Sequence, residues 1–392
     1  MTLTVSILLL LIGLLAAEAA IHSHRLAKIG LRITVSGTRG KTGVTREIAS
    51  VLRASGRTVL AKTTGSEAMY ILPDGSREPV RRRGIVSIIE QKKLVARAAK
   101  MGADSLVAEV MSIRPENHRF ESRRLLKPGI TVLTNFRADH LDVTGETTRE
   151  TESLFLNDVC RGATIFVHEN HLTGFLKKGI EEEGAAIEVA LSGCSTKITG
   201  HPGPTPFRIR ENSDLVYKVA VHLGISDNEI AMGIVTARHD TGRAELFRFR
   251  QGSKTVWFAN TFAANDPVST NIIIDLMLKE SAIPFRHIAG LLALRSDRAE
   301  RTLQWIRQLR QNYPISFDPL FVAGSHRNIV RRKIADAIPV RRMSPGDMTC
   351  HLAAGCEDGT VVFGLANIAG TGSGLLDYWR ENCESINQHN ET

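Results

Sequence analysis

The chain has 392 residues, a length that fits two domains of ordinary size better than one small module. Its 43% hydrophobic and 23% charged residues are close to a globular average, which excludes wholesale disorder and a collagen-like fibre. Only 5% of the residues are aromatic, so a core must be built mainly from Ala, Val, Ile and Leu, as in parallel α/β sheets. The formal charge of +9 favours an anionic partner: a nucleotide, an acidic polymer, nucleic acid or a membrane surface.

The first residues form the most apolar stretch of the chain. Leu3 to Ile21 spans about 30 Å at about 1.5 Å per residue, which is the thickness of the hydrocarbon core of a membrane. A cleaved secretory signal is the alternative interpretation, although the residues before the stretch lack the Lys or Arg typical of one. Positive side chains follow instead, at Arg25, Lys28 and Arg32. Because such residues stay in the cytoplasm, we expect residues 1–24 to be a single-pass anchor in the inner (cytoplasmic) membrane, with the catalytic domains in the cytoplasm.

Behind this stretch, short β-branched runs alternate with segments of helical spacing, a pattern typical of a doubly wound parallel sheet. The strand-like runs lie at 31–35, 58–60, 105–108, 130–134 and 163–167. After a polar stretch the pattern resumes, with strand-like runs at 255–259, 287–294 and 361–363 and a helical segment at 268–279. We expect one α/β domain over 25–240 and a smaller, Rossmann-like α/β domain over 241–385. The polar tail begins at Glu384. We expect it to be loosely held, above all over residues 386–392.

The strongest motif lies between the first predicted strand and the first predicted helix. It reads Ser36-Gly37-Thr38-Arg39-Gly40-Lys41-Thr42. Glycines let successive backbone N–H groups face one anion, and the start of a helix adds a positive dipole. In such loops the lysine reaches the β- and γ-phosphates and the threonine hydroxyl suits Mg²⁺. The tract is a shorter variant of the usual loop, because position 35 is Val35 instead of glycine. It predicts a P-loop-type ATPase domain; the alternative is a glycine turn before a lysine.

Two further polar positions follow predicted strands, where ligands bind in open α/β sheets. Glu109 ends one strand, and Asp139-His140-Leu141-Asp142 follows the next. Mg²⁺ held by a threonine and phosphate oxygens still needs a carboxylate or an imidazole nearby. Either residue alone has a structural alternative, a surface carboxylate for Glu109 and a packed side chain for His140. Their shared position at strand ends favours a magnesium site.

These tracts resemble the central ATP-binding domain of Mur-type amide ligases. The matching tracts of the first half are Gly37–Thr42, Lys62-Thr63-Thr64-Gly65, Glu109 and Thr134–Asp142. The second half continues the resemblance through Asn212, Gly242-Arg243, Asn265-Asp266-Pro267 and Arg295-Ser296-Asp297-Arg298. Within the superfamily, the ligase subunit of poly-γ-glutamate synthase fits best. The features that favour this branch are the apolar amino terminus, the lack of a uridine-nucleotide-binding domain in front, Phe262–Asp266 and Asn367–Gly370.

The resemblance implies a role for each matching residue. The phosphates of ATP would be held by the loop, which comprises Gly37, Thr38, Arg39, Gly40 and Lys41. Thr42 and Glu109 would hold a first Mg²⁺, and His140 would help to place a second. Asn212 and Asp297 would face adenine and ribose, while Arg295 would close from the second domain. Many Mur ligases carry a carbamylated lysine beside the metals, and the resemblance assigns no particular lysine to that role here; Asn265 stands where a histidine is usual.

The implied activity is that of an ADP-forming, ATP-dependent acid–amino-acid ligase. A γ-carboxylate would be activated as an acyl phosphate, closure of the second domain would exclude water, and the α-amine of glutamate would then attack. The substrates would be glutamate and a glutamyl polymer of a capsule or exopolymer. One membrane helix offers no pore for a polyanion, so other membrane subunits of a synthase or export complex are expected as partners. The alternatives are a membrane-tethered P-loop ATPase or kinase and a nucleotide-binding scaffold for polymer export.

The excess of positive charge includes three clusters of basic residues. They are Arg81-Arg82-Arg83, Arg331-Arg332-Lys333 and Arg341-Arg342. They would guide a polyanionic glutamate chain; solvated loops and contacts with anionic lipid are equally good interpretations. We expect no nucleic-acid partner, since these clusters lack interleaved aromatic residues for base stacking.

The five cysteines predict no disulfide framework, because they are few and odd in number. Cys350-His351 with Cys356 is the one grouping that resembles metal ligands. Without a partner cluster, we interpret these three residues as structural.

Overall fold

The computed structural model describes residues 2–64, 68–82, 84, 86–136, 147–198, 209–237, 244–311 and 313–386. The chain divides into two compact units. Unit 1 comprises Met1–His201 and Arg210–Arg238, and unit 2 comprises Pro202–Ile209 and His239–Thr392. Each unit is built on its own sheet, with parallel strands at the centre. The predicted α/β class with parallel sheets is therefore confirmed.

Unit 1 has an eight-stranded sheet in the order β4-β3-β2-β5-β1-β6-β7-β8. Its strands are β1 (Leu31–Ser36), β2 (Val59–Lys62), β3 (Met69–Ile71), β4 (Arg77–Pro79), β5 (Ser105–Glu109), β6 (Ile130–Leu133), β7 (Thr164–His168) and β8 (Ala186–Ala190). All neighbours are parallel except β2 with β3 and β3 with β4, which are antiparallel. Because β1 lies between β5 and β6, the segments that follow these three strands meet at one edge of the sheet.

The helices of unit 1 cover both faces of this sheet. They are α1 (Thr2–Ala27), α2 (Lys41–Ala54), α3 (Glu90–Met101), α4 (Pro115–Phe120), α5 (Thr148–Phe155), α6 (Gly174–Glu182), α7 (Arg210–His222) and α8 (Asp227–Thr236). Helix α2 forms because its apolar residues recur on one face, where Val44, Ile48 and Val51 are buried. Helix α8 crosses α2 closely: a Cβ on Gly233 would lie 2.4 Å from the Cα of Val51, so only glycine fits.

Helix α1 has an exposed part and a docked end. Its side chains from Leu3 to Ile21 are exposed. The docked end begins at His22, whose Nε2 lies 2.9 Å from the carbonyl oxygen of Leu125, and Leu26 and Ile29 are buried in the core of unit 1. Within the described residues, Leu3–Ala27 is the one helix long and apolar enough to cross a membrane, by length and composition.

Unit 2 has a seven-stranded sheet in the order β13-β12-β11-β14-β10-β9-β15. Its strands are β9 (Glu245–Gln251), β10 (Lys254–Asn260), β11 (His287–Leu294), β12 (Leu320–Gly324), β13 (Ala337–Pro339), β14 (Thr360–Ala366) and β15 (Glu384–Ser385). Its helices are α9 (Pro267–Glu280), α10 (Ala299–Arg310), α11 (Arg327–Lys333), α12 (Pro345–Ala354) and α13 (Ser373–Asn382). The indole ring of Trp379 stacks on Phe258 with the ring centroids 4.9 Å apart, in the core on one face.

The start of the polar tail corrects one prediction. Strand β15 pairs antiparallel with β9, and Glu384 makes an ion pair with Arg248. The expectation of a loose tail is therefore wrong for Glu384 and Ser385, because backbone pairing with an edge strand does not require apolar side chains. Residues 387–392 lie outside the described part of the chain.

Candidate functional site

The predicted phosphate loop connects the end of β1 to the start of α2. Both of its glycines have positive φ, 117° at Gly37 and 84° at Gly40. A Cβ on Gly37 would lie 2.3 Å from the Oγ1 of Thr134, and one on Gly40 would lie 2.5 Å from the Nδ2 of Asn212. Both backbone conformation and space therefore require glycine at these positions. The loop can approach an anion with its backbone at the amino terminus of α2.

Asn135, which follows β6, fixes the shape of the loop. Its Nδ2 donates to the carbonyl of Arg39 at 2.9 Å, and its Oδ1 accepts from the amide of Arg39 at 3.2 Å. Its own carbonyl accepts from the amide of Thr38 at 3.0 Å. The sequence placed Asn135 in a matching tract but assigned it no role. Sequence alone does not show this pairing because the two segments are almost a hundred residues apart.

Lys41 begins α2 and folds back over the loop. Its Nζ donates to the carbonyl of Gly37 at 2.6 Å and to that of Thr38 at 3.3 Å. These contacts keep the ammonium group beside the backbone amides that would face an anion. A lysine in this position could neutralise the charge of a phosphate bound at the loop.

Thr42, Glu109 and Thr64 meet at the adjacent strand end. The Thr42 hydroxyl donates to Oε2 of Glu109 at 2.9 Å, and the backbone amide of Thr64 donates to the same oxygen at 2.8 Å. Glu109 ends β5 and is only 2% exposed. A hydroxyl and a carboxylate oxygen side by side are the hard ligands that Mg²⁺ prefers, so this pair fits a divalent cation. No cluster of three or more His, Cys, Asp or Glu side chains able to hold a metal occurs in the part of the chain that the structure describes.

A cavity of about 240 Å³ lies against the loop and Glu109. Besides the loop, its lining includes Thr64, Glu109, Ser112, His118 and Phe155. His118 was not predicted from the sequence as a site residue. Its Nδ1 lies 2.9 Å and 3.0 Å from the two carboxylate oxygens of Asp158, which is fully buried. The phosphate loop therefore has a histidine–aspartate pair beside it.

The structure places one other predicted residue of unit 1 at the loop. Asn212 lies near the start of α7, and its side-chain amide abuts Gly40. His140 and Gly65, and the predicted start of the second domain at Gly242-Arg243, lie outside the described residues.

In unit 2, Arg295 and Asp297 follow the end of β11 and bind each other. The Nε and Nη2 atoms of Arg295 donate to the two Asp297 oxygens at 2.9 Å and 2.6 Å. This side-chain hydrogen bond lowers the pKa of the Asp297 carboxyl. Both residues line a cavity of about 890 Å³, together with Arg327, Arg341 and Arg342. Four guanidinium groups and one carboxylate therefore surround a space large enough for several carboxylate groups.

Asn265 has a structural position within unit 2. Its φ of 66° lies in the left-handed region, which asparagine tolerates better than most residues. Its Oδ1 accepts from Arg301 Nη1 at 2.9 Å, and the same nitrogen donates to Oδ1 of Asn367 at 2.6 Å. The carbonyl of Asn265 accepts from the indole of Trp305 at 3.0 Å. Asn265 thus connects the start of α9 to α10 and to the end of β14.

The phosphate loop and the Thr42–Glu109 pair fit an ATP-dependent amide ligase of the Mur type, and the matches to two family models support that class. Residues 35–201 match the family described as the Mur ligase middle domain. Residues 246–382 match the family described as the poly-gamma-glutamate synthase CapB C-terminal domain. The chain is thus similar to Mur ligases over its first part and to the CapB group over its second part.

Two curated proteins show the relationship over long alignments. The capsule biosynthesis protein CapB of Bacillus anthracis is 29% identical over 297 residues, which cover 74% of this chain and 63% of that protein. The PGA synthase CapB of Bacillus subtilis (strain 168) is 27% identical over 378 residues, 94% of each chain. The present chain thus aligns with less than two thirds of the length of the first relative and with nearly all of the second.

Solved structures share the fold over most of the chain. FolC of Escherichia coli in complex with ADP has a TM-score of 0.66 at 16% identity, over 93% of this chain and 94% of that chain. The bifunctional folylpolyglutamate synthase/dihydrofolate synthase of Yersinia pestis, complexed with AMPPNP and a Mn ion, has a TM-score of 0.68 at 14% identity, over 92% and 91%. At these identities the likeness concerns the fold alone.

Proposed function

We propose that this protein is an ADP-forming ligase that uses ATP to add glutamate to a γ-linked glutamyl chain. The observation that carries the proposal is the phosphate loop, with Lys41 folded over it and the Thr42–Glu109 pair beside it. The match to the poly-gamma-glutamate synthase CapB C-terminal domain and the similarity to a PGA synthase support glutamate as the substrate. The polymer would be that of a capsule or exopolymer.

The chemistry requires activation of a carboxylate, because an amide does not form from a carboxylate and an amine at neutral pH. The γ-carboxylate of the acceptor takes the terminal phosphoryl group of ATP, which gives an acyl phosphate and ADP, and the glutamate amine then displaces phosphate. Lys41 and the loop amides neutralise charge on the phosphates. Thr42 and Glu109 would hold the divalent cation, which we propose to be Mg²⁺ and which supplies further charge neutralisation. His140 would take part in a second metal position.

The arginine-lined cavity of unit 2 suits the acidic substrate. Arg295, Arg327, Arg341 and Arg342 provide planar donors that bind carboxylates in bidentate fashion. A cavity of about 890 Å³ exceeds the needs of one glutamate, so we propose that it receives the end of the glutamyl chain. Asp297, already paired to Arg295, would in addition meet the nucleotide ribose, and Asn212 would lie on the adenine side.

We further propose that α1 anchors the protein in the cytoplasmic membrane and that the remaining chain works at its inner face. Its exposed apolar segment passes without a break into the docked end at His22 and Leu26. Nucleotide chemistry would belong to residues 25–240 and acceptor binding to residues 241–385. A single helix cannot conduct a polyanion, so export would depend on other membrane subunits.

ADP release tests the proposal. In detergent-solubilised full-length protein, steady-state ADP formation should require ATP, Mg²⁺, glutamate and a γ-glutamyl acceptor together. Lys41→Ala should abolish it, whereas the control Lys177→Ala, on the exposed side of α6, should leave it unchanged. Equal ATP hydrolysis with and without glutamate would contradict the ligase and favour a plain ATPase. Retention of polymer synthesis in cells carrying only Lys41→Ala would favour a scaffold.

A further inference from the structure

A buried polar network adjoins the phosphate loop. Asp158 is fully buried just after α5, and both of its carboxylate oxygens accept hydrogen bonds. Ser36, the last residue of β1, donates through Oγ at 2.5 Å, and Ser122 donates at 2.9 Å. His118 Nδ1 completes the set at 2.9 Å. The network thus connects the first residue of the loop motif to an imidazole that lines the same cavity as Lys41 and Glu109.

The partners of Asp158 determine which ring nitrogen of His118 can act on a ligand. An ionised carboxylate only accepts hydrogen bonds, so Nδ1 carries a proton. Nε2 is then the ring nitrogen with which His118 can bind a ligand in the cavity. The ring of Phe155 lies edge-on at a centroid distance of 5.5 Å and limits rotation of the imidazole. The ring is therefore oriented before any ligand binds.

The charges around His118 favour the imidazolium form. Burial lowers its pKa, and the ammonium group of Lys41 acts in the same direction. The charge and hydrogen bond of Asp158, with the charge of Glu121, act in the opposite direction and prevail, so the pKa of His118 is raised above its usual value. A protonated Nε2 is a charge-assisted donor to an anion.

A second histidine of unit 1 provides a comparison. His168 is also buried, and its Nε2 lies 3.5 Å from Asp214. Its Nδ1 accepts from the amide of Asn170 at 3.2 Å, so both ring nitrogens face protein groups. His168 is absent from the lining of the loop cavity. The distinguishing feature of His118 is therefore its place in that cavity rather than its carboxylate partner.

We propose that His118 is a further residue of the nucleotide site, whose Nε2 donates a hydrogen bond to the terminal phosphate of bound ATP. Asp158 is the positioning residue that orients the ring. The inference rests on the proposed function, because it requires a nucleotide triphosphate at the loop. Lys41 of such a loop reaches the β- and γ-phosphates, and because His118 lines the same cavity as Lys41, we assign the imidazole to the terminal-phosphate side.

Measurement of nucleotide affinity tests the role of His118 without depending on catalytic turnover. Calorimetry would compare the dissociation constants of ADP and the ATP analogue AMPPNP, each with Mg²⁺, for the wild type, His118→Gln, Asp158→Asn and the control His168→Gln. The loss of one hydrogen bond to a charged phosphate should weaken AMPPNP about tenfold in His118→Gln and leave ADP within about twofold. Asp158→Asn should produce a smaller loss of the same selectivity, and His168→Gln none.

The preference for AMPPNP over ADP should change with pH in one direction. Because the imidazolium is the donor, the preference of the wild type for AMPPNP over ADP should decrease as pH rises through the pKa of His118, and this change should be absent in His118→Gln. Equal effects of His118→Gln on both nucleotides, or no effect, would overturn the inference while the proposed function stands. Failure of the wild type to bind either nucleotide would instead overturn the proposed function.

A measurement on the wild type covers the case in which the variants do not fold. In nitrogen-15 histidine spectra, one buried imidazole should shift when AMPPNP is added and remain in place when ADP is added. If no histidine distinguishes the two nucleotides, the inference is wrong.

Discussion

The hydroxyl of Thr42 donates to the carboxylate of Glu109 at 2.9 Å, across the gap between the start of α2 and the end of β5. The two residues are brought together because β5 is the parallel neighbour of β1, so the loop after β1 and the end of β5 lie at the same edge of the sheet. The backbone amide of Thr64 binds the same oxygen from the end of β2, the next strand in the sheet. Residues at the ends of three adjacent strands thus hold the carboxylate of Glu109 in place.

Replacement of Glu109 by glutamine should separate metal binding from folding. Glutamine keeps an oxygen to accept from Thr42 and Thr64 but removes the negative charge that a divalent cation needs. Turnover should fall about 100-fold, and the Mg²⁺ concentration for half-maximal activity should rise. The control is Glu181→Gln, an exposed carboxylate on α6. Unchanged Mg²⁺ dependence in Glu109→Gln would exclude Glu109 as a metal ligand.

Alanine at Gly37 should destroy the conformation of the phosphate loop, whereas alanine at Gly43 should be tolerated. In Gly37→Ala, the Cβ would lie 2.3 Å from the Oγ1 of Thr134, and the alanine would have to adopt a φ of 117°. Gly43 lies in the first turn of α2 with nothing within 4 Å of its Cβ position, so alanine there should increase the free energy of unfolding by up to about 1 kcal/mol. Nucleotide calorimetry and urea unfolding check both variants. Wild-type affinity in Gly37→Ala would refute the described loop conformation.

The hydrogen bonds that join Asn265, Arg301 and Asn367 predict that these residues stabilise unit 2. The sequence alone assigned no role to Asn265. Arg301→Ala leaves two amide oxygens without their donor and should lower the free energy of unfolding by about 1–3 kcal/mol. Arg307→Ala, on the exposed face of the same helix, should change it by less than about 0.5 kcal/mol. Chemical unfolding followed by tryptophan fluorescence measures both. Equal stabilities would show that these hydrogen bonds contribute nothing.

The cysteines should differ sharply in reactivity. Cys350 is exposed, whereas burial raises the pKa of Cys356 to about 12 and those of Cys160, Cys194 and Cys383 to about 11. Maleimide at pH 8 should therefore label Cys350 first in the native protein and all five in denaturant, as counted by mass spectrometry. Labelling of Cys356 as fast as Cys350 would contradict the described burial of Cys356.

Local sequence signals predicted the framework well. The strands β1, β5, β6 and β7 correspond to short runs rich in β-branched and apolar residues, as expected where both faces of a central parallel strand are buried. The hairpin strands β3 and β4 were not predicted. Strand β4 consists of Arg, Glu and Pro and has no apolar alternation, so its pairing with β3 depends on position alone.

The site was predictable where its residues lie within one motif. Lys41 and Thr42 belong to a contiguous loop, and Glu109 ends an apolar strand that the sequence shows. The pair of His118 and Asp158 was missed because the two residues are 40 positions apart and no spacing rule connects a helix start to a turn after another helix. Only the packing of α4 against the segment after α5 brings them together.

The most direct test of the central claim is mass analysis of the product formed by the purified full-length protein from ATP, Mg²⁺, glutamate and a short γ-glutamyl acceptor. The account predicts a ladder of products that differ by one glutamyl residue, with γ-amide linkages and one ADP formed for each residue added. It also predicts that Lys41→Ala forms no such ladder. ADP formation with an unchanged acceptor mass, or a phosphorylated acceptor that accumulates without an amide bond, would contradict the assignment as a ligase.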